Sequence, residues 1–445
     1  MSKKRGVTYT SRAVVACALA AVGAPAFAQN AAPAPAPTSG FDSIVALGQN
    51  LAQKGVFIDL GYNETVGALL GGGTGKTGVY PTGNGAAFFT FDLQTILGIP
   101  GASLHIAFNE RNGIGESALG YGGVAGSSAL LSADSEPLNW NMSDFYWEQG
   151  FLNDRIDIIA GRMNPTFDFM FSDISCAFVS SIICAQPGSF YFMQDSSPFG
   201  WSQWGGRINV QATPEIYLRA GLYNEDPSQA GYGNTGFNWN TEHSVGVFAP
   251  VEVGYQTTFK SAALPSKYDV GFYVDTATYA LGNGNPSNQR DRTSFWAQAE
   301  QTVWRPNRET NQSLTAFAGA ITYSGGGPFW GQYDVGLYDR APFGDVRPRD
   351  TIAFIATKYI ENTGYSSPAY RASPNNQYAF ELNYALSIIP GLTLTPYVTY
   401  VINPDNPFNA TNTSGMTHLG NATEAGFQVI ISPTAMFQFP HFIPH

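Results

Sequence analysis

The chain has 445 residues, of which 44% are hydrophobic and only 12% charged, and its formal net charge at pH 7 is −11. Soluble globular domains carry about a quarter charged residues, so much of this surface faces something other than water. The acidic balance argues against nucleic-acid binding, which needs a basic footprint.

Residues 1–28 read as a secretory signal peptide. Lys3, Lys4, Arg5 and Arg12 flank the start of an apolar run from Ala13 to Val22, and Ala26-Phe27-Ala28 precedes Gln29 at the expected cleavage point. The run is too short to span a bilayer. Its removal takes four of the 22 Lys+Arg and none of the 33 Asp+Glu, leaving a more acidic mature chain exported through the general secretory pathway. Residues 29–54 follow as an Ala/Pro-rich linker and a short N-terminal segment, in which Phe41, Ile44, Val45, Leu47 and Leu51 have helical spacing.

Residues 55–445 show no composition break and read as one all-β domain. The glycine-rich stretch from Leu70 to Thr77 lacks the first glycine of a phosphate loop and has no α/β context, so it reads as a loop between strands. Pro100-Gly101 and Pro390-Gly391 each close a short turn, because proline fixes φ and glycine accepts φ > 0. Residues 113–139, 165–203, 224–242 and 323–350 read as long loops. Within the second, Cys176 and Cys184 are the only cysteines of the mature chain. In an oxidising compartment a short-loop disulfide is expected, two buried free thiols being the other reading.

The next segments alternate residue by residue. In Trp204 to Gln211 the polar Arg207, Asn209 and Gln211 oppose Trp204, Ile208 and Val210, and Ile216 to Tyr223 repeats the pattern after a turn at Thr213-Pro214. From Asp269 to Thr276, Asp269, Tyr273 and Asp275 oppose Val270, Phe272 and Val274. One wet and one apolar face per strand fits a transmembrane antiparallel β-barrel, with short periplasmic turns and long extracellular loops. The length allows about 16 strands of some 10 residues, enough to leave an aqueous channel. Alternation then places Arg207, Arg219, Asp269, Asp275, Glu300 and Glu381 in the lumen, with Arg162 joining them from the end of its strand. An arginine beside a carboxylate offers fixed donors and acceptors to sugar hydroxyls. Replacing Arg207 or Arg162 with alanine is expected to weaken sugar block while leaving folding intact.

Catalytic and metal signals are weak. The five histidines are scattered without H-E-x-x-H spacing, and Gly200-Trp201-Ser202-Gln203-Trp204 fails the nucleophile-elbow pattern at its fifth position. No enzyme activity, cofactor, metal or catalytic residue is expected.

The chain resembles the carbohydrate-selective porins of Gram-negative outer membranes, the OprB-like family. The resemblance rests on the order of Phe91-Asp92-Leu93 to Leu97-Gly98-Ile99-Pro100-Gly101, Trp147-Glu148-Gln149-Gly150-Phe151, Ala160-Gly161-Arg162, Trp204-Gly205-Gly206-Arg207, Ala220-Gly221-Leu222-Tyr223-Asn224 and Ile389-Pro390-Gly391-Leu392. It implies a 16-stranded barrel in the outer-membrane lipid, passive uptake of monosaccharides with oligosaccharides left open, and a constriction made by inward-folded loops. Residues 165–203, carrying Asp168 and Asp173, match such a loop, and Glu110 and Arg111 are placed beside it. A general diffusion porin without sugar preference is the alternative, and a homotrimer or a monomer remains open. The ending departs from the family pattern: Phe437-Gln438-Phe439 is followed by Pro440 to His445, so Phe439 or Phe442 takes the place of the terminal aromatic.

Overall fold

The computed structural model describes residues 40–73, 77–113, 127, 129–130, 138–165, 168–172, 174–184, 186–193, 202–229, 235–277, 279–280, 288–289, 292–362, 366–367, 370–371, 376–404 and 419–443. The expected leader, most of the linker and Asp173 lie outside them.

Sixteen antiparallel strands close into a barrel. They are β1 (Val56–Gly73), β2 (Gly78–Asp92), β3 (Ala102–Gly113), β4 (Leu138–Phe151), β5 (Ile156–Met163), β6 (Gln203–Gln211), β7 (Ile216–Glu225) and β8 (Gly246–Gln256). The second half comprises β9 (Ser266–Asp275), β10 (Arg292–Trp304), β11 (Ser313–Tyr323), β12 (Phe329–Arg340), β13 (Thr351–Glu361), β14 (Gln377–Ile389), β15 (Leu392–Ile402) and β16 (Gly420–Ile431). Each strand pairs with its sequence neighbours, and β1 pairs with β16 to leave no open edge.

The alternation expected for β6, β7 and β9 is present as alternating burial. Val251, Val253 and Tyr255 of β8 and Val270 and Phe272 of β9 are exposed on the outer, apolar face. One expectation fails: residues 323–350 are not a long loop. Their Phe329–Arg340 segment is β12, in which Gln332 and Asp334 point inward while Tyr333, Val335 and Leu337 point out. The glycines and Pro328 ahead of it mask a strand whose period is still two.

The tight turns at residues 152–155, 212–215 and 390–391 lie at the end that holds both described chain ends, the periplasmic end of an outer-membrane barrel. Helix α1 (Gly40–Gln53) realises the expected helical spacing there. Between β2 and β3, α2 (Leu93–Leu97) is capped by Asp92, whose Oδ1 accepts from Gln94 N at 3.0 Å. The β14–β15 connection is the tight turn at Pro390-Gly391, where φ of +82° at Gly391 requires glycine. After β16, α4 (Pro433–Met436), numbered after a lumenal α3 (Gly188–Met193), continues the seam. Thr434 Oγ1 accepts from Leu60 N at 2.8 Å below the last β1–β16 rung, so β1 is not left bare.

Candidate functional site: the loop-filled lumen

The described part of the connection from β5 to β6, residues 164–165, 168–172, 174–184, 186–193 and 202, folds into the barrel instead of away from it. Its apolar side chains, among them Phe169, Ile174, Phe178, Ile182 and Phe190, are buried in one cluster with inward-facing Tyr223, Phe248, Tyr273, Trp296 and Tyr359 of the wall. A loop can stay in a wet lumen only if its backbone groups find partners, and here the wall supplies them strand by strand.

At the start of the loop, Arg207 of β6 lies between Asp157 of β5 and Asp168 of the loop, with Nη1 2.8 Å from Asp157 Oδ2 and Nε 2.9 Å from Asp168 Oδ1. Tyr223 OH donates to the other Asp168 oxygen at 3.0 Å, and Arg219 of β7 donates to the Asp168 carbonyl. Further along, Glu252 of β8 accepts from Met170 N at 2.7 Å, and Gln298 of β10 donates to Met170 O at 2.8 Å and to Asp269 Oδ1 at 3.2 Å. Lys267 of β9 donates to Phe171 O, and Ser172 donates to Glu300 of β10.

The far part of the loop is held by β12 and β14. Gln332 accepts from Ser189 N at 2.8 Å and donates to Ile182 O at 2.9 Å. Glu381 accepts from Val179 N and Ser180 N, each at 2.8 Å, and also from Ser180 Oγ. Asn383 donates to Ala177 O at 2.9 Å. The loop is thus pinned across the inner faces of β6 to β14.

The opposite wall carries a different set. Thr395 of β15, Gln428 of β16, Thr65 of β1 and Thr82 of β2 are successive register partners, all buried on the inner face. Gln428 Nε2 donates to Thr65 Oγ1 at 3.0 Å. The side-chain hydroxyls of Thr82, Thr395 and Thr399 and both polar atoms of Asn109 are buried without a protein hydrogen-bond partner. The wall is rich in hydroxyl and amide side chains, and it also carries buried carboxylates: Thr399 stands between Glu381 and Glu424 in the ladder.

The residues singled out from sequence fall into three groups. Arg207, Arg219, Asp269, Asp275 and Glu300 are on inner faces, as is Arg111, which shares its face with His105 and Asn109. Asp168 joins them from the loop. Asp275 is at the outer end of β9, where Oδ1 accepts from Ala277 N at 2.8 Å.

Arg162 and Glu110 are corrections. Arg162 stands opposite Phe145 and Trp204 in the ladder, whereas inward Arg207 stands opposite Ile159, so Arg162 leaves β5 on the outer side. It is buried because described residues of the β7–β8 connection close over it: its guanidinium donates to the carbonyls of Gly236 at 2.5 Å and Asn238 at 2.7 Å and to Gln229 Oε1 at 3.1 Å, and on the other side to Ser202 O at 3.1 Å. Trp239 of that loop packs on Phe145 and Trp204. Glu110 shares the outer face of β3 with Leu104, Ile106 and Phe108, because adjacent strand residues point opposite ways and Arg111 points in. It accepts from Asn112 Nδ2, which also donates to Tyr62 OH at 3.2 Å. The anchors Glu252, Lys267, Gln298, Gln332 and Asn383, and the threonine wall, were not among the sequence candidates.

A family model described as carbohydrate-selective porin, OprB family, matches residues 76–432. Porin B of Pseudomonas aeruginosa is 26% identical over 415 residues, covering 85% of this chain and 88% of that protein. The high-pH structure of Pseudomonas putida OprB superposes with a TM-score of 0.74 at 23% identity, covering 86% of this chain and 96% of that one. The low-pH structure of the same protein gives a TM-score of 0.55 at 19% identity, with 86% of this chain and 94% of that one covered. These two likenesses concern the fold.

Proposed function

The chain belongs to the carbohydrate-selective porin family, and from that premise we propose that sugars cross it by passive diffusion between the pinned loop and the facing threonine wall. It is an outer-membrane porin, and its family and fold are those of a channel. The observation that carries the reading is a loop fixed across β6 to β14 inside a 16-stranded barrel, facing a wall rich in hydroxyl and amide side chains. Such groups match sugar hydroxyls without holding an ion, and the exchange of water for hydroxyl keeps binding weak enough for release.

Liposome swelling tests this. Vesicles containing the refolded protein are expected to swell several-fold faster in glucose than in neutral amino acids of similar size. Equal rates would make the protein a general diffusion porin.

The pore-lining set in this reading is Arg111, Arg207, Arg219, Asp168, Asp269, Asp275 and Glu300, with Arg207 and Arg219 holding the loop in place. Arg162 belongs instead to the β7–β8 loop. Arg162→Ala is expected to leave sugar block unchanged while protease cleavage within residues 226–245 speeds up about tenfold, since three bonds from a charged donor are lost. Altered block with an intact loop would return Arg162 to the pore.

Three further assignments complete the proposal. The leader, residues 1–28, is removed on export. Cys176, which is buried, pairs in a disulfide with Cys184, the only other cysteine of the mature chain, and the bond stiffens the loop. A homotrimer fits the outer wall at β1 to β3, where Glu64, Glu110, Tyr62 and Asn112 interrupt an otherwise apolar face above Leu60 and Phe108 and below Val66 and Val79. Charged groups facing lipid are destabilising, and a second copy covering the patch removes that cost.

A further inference from the structure

The seven residues from Phe437 to Ile443, after α4, do not trail away from the barrel. Gln438 takes a left-handed conformation, with φ of +53°, and turns the chain back. The ring of Phe439 lies so close to Gly48 of α1 that a Cβ at that glycine would come within 2.5 Å of it. His441 Nδ1 is 3.0 Å from Asp59 Oδ1, and Asp59 is on the inner face of β1. Phe442 is then buried edge-on against Phe57, with ring centroids 5.3 Å apart, and against His105 of β3 at 6.1 Å.

The receiving surface is itself fixed. His105 stacks on Tyr146 of β4 at 4.7 Å, and its Nε2 is 2.6 Å from Glu148 Oε2. Phe57, Asp59 and His105 are all within the first four residues of their strands at the periplasmic end and face inward. An aromatic side chain is therefore held inside the lumen, below the pinned loop, by contacts to β1, β3 and α1.

We propose that the C-terminal segment forms a second constriction at the periplasmic mouth, anchored by the buried Phe442, with the half-exposed His441 as its solute-facing residue. This rests on the reading of the barrel as a sugar-conducting channel. A solute released from the main constriction meets His441 before it reaches the periplasm, and the imidazole offers a hydrogen-bonding partner to a sugar hydroxyl. Phe442 on Phe57 and His105 and Phe439 on α1 act as the two fasteners that hold His441 in place.

The experiment compares wild type, Phe442→Ala and His441→Cys in planar bilayers. Single-channel conductance should rise about 1.5-fold in Phe442→Ala, because the segment loses its anchor in the wall. In His441→Cys, a charged methanethiosulfonate reagent added to the chamber facing the short turns should lower the current, and should act more slowly from the other chamber. The thiol measurement stands even if the alanine variant folds poorly. Wild-type conductance in Phe442→Ala together with no reagent effect in His441→Cys would overturn the constriction, and sugar block persisting in the same channels would show that the channel reading itself survives. Wild-type protein that forms no channels would remove both.

Discussion

Replacing Glu381 with alanine is expected to free the far part of the inward loop and produce the largest functional change of any single lumenal substitution. Glu381 accepts two backbone N–H groups, from Val179 and Ser180 at 2.8 Å each, and the Ser180 hydroxyl. Hydrogen bonds to a charged partner contribute about 1.5–3 kcal/mol each, so several kcal/mol of docking is lost at one point of the loop. With that part detached, the gap to the threonine wall widens. Single-channel conductance should rise about twofold and the half-blocking glucose concentration at least about tenfold, the equivalent of ~1.4 kcal/mol. Glu381→Gln keeps an acceptor and should fall between the two. The strand signal in circular dichroism should stay unchanged, because Glu381 takes no part in a ladder bond through its side chain. Unchanged conductance and block would mean that the loop is held by its apolar cluster alone.

Arg207→Ala has its largest effect on stability. The guanidinium is almost fully buried between Asp157 and Asp168, and its removal leaves two carboxylates facing each other in a dry site beside Glu148. Breaking a buried pair from one side costs about 3–5 kcal/mol. In detergent the unfolding temperature should fall by roughly 5–10 °C, following the usual relation between stability and midpoint. The double variant Arg207→Ala/Asp157→Asn should recover part of the loss, since one of the stranded charges is gone. An unshifted midpoint would show that water reaches this triad and shields it. The sequence-based expectation that Arg207→Ala spares folding therefore does not survive the geometry: the same arginine that faces the lumen also clamps the loop.

Much of the fold is legible in the alternation of single strands. The inner placement of Arg207, Arg219, Asp269 and Asp275 follows from a period of two, and that period cannot slip without exposing every valine of β8 and β9 to water. Parity also exposes the two misplaced residues. Asp157 and Arg162 are five positions apart on one strand and so point opposite ways, and Glu110 and Arg111 are adjacent and cannot share a face. The assignment of Arg162 to the lumen followed its charge instead of its parity. β12 was hidden by the glycine-rich run before it, although its own alternation was intact.

The site was less legible because it depends on closure and on the loop. Thr395, Gln428, Thr65 and Thr82 come from four strands spread over the whole chain, and only the β1–β16 seam brings the first two beside the last two. Nothing in a single strand marks a threonine as part of that row. The partners of Glu252, Gln298, Gln332 and Asn383 are backbone groups of a loop whose path is set by the burial of Phe169, Phe178 and Phe190, a tertiary choice that local propensity does not encode.

The most direct measurement is single-channel current through the refolded protein in a planar bilayer, titrated with glucose and, separately, with neutral amino acids. A sugar channel between the pinned loop and the threonine wall gives discrete steps that glucose blocks saturably and amino acids leave unchanged. Discrete steps that glucose reduces no more than an amino acid does, without saturation, would contradict it.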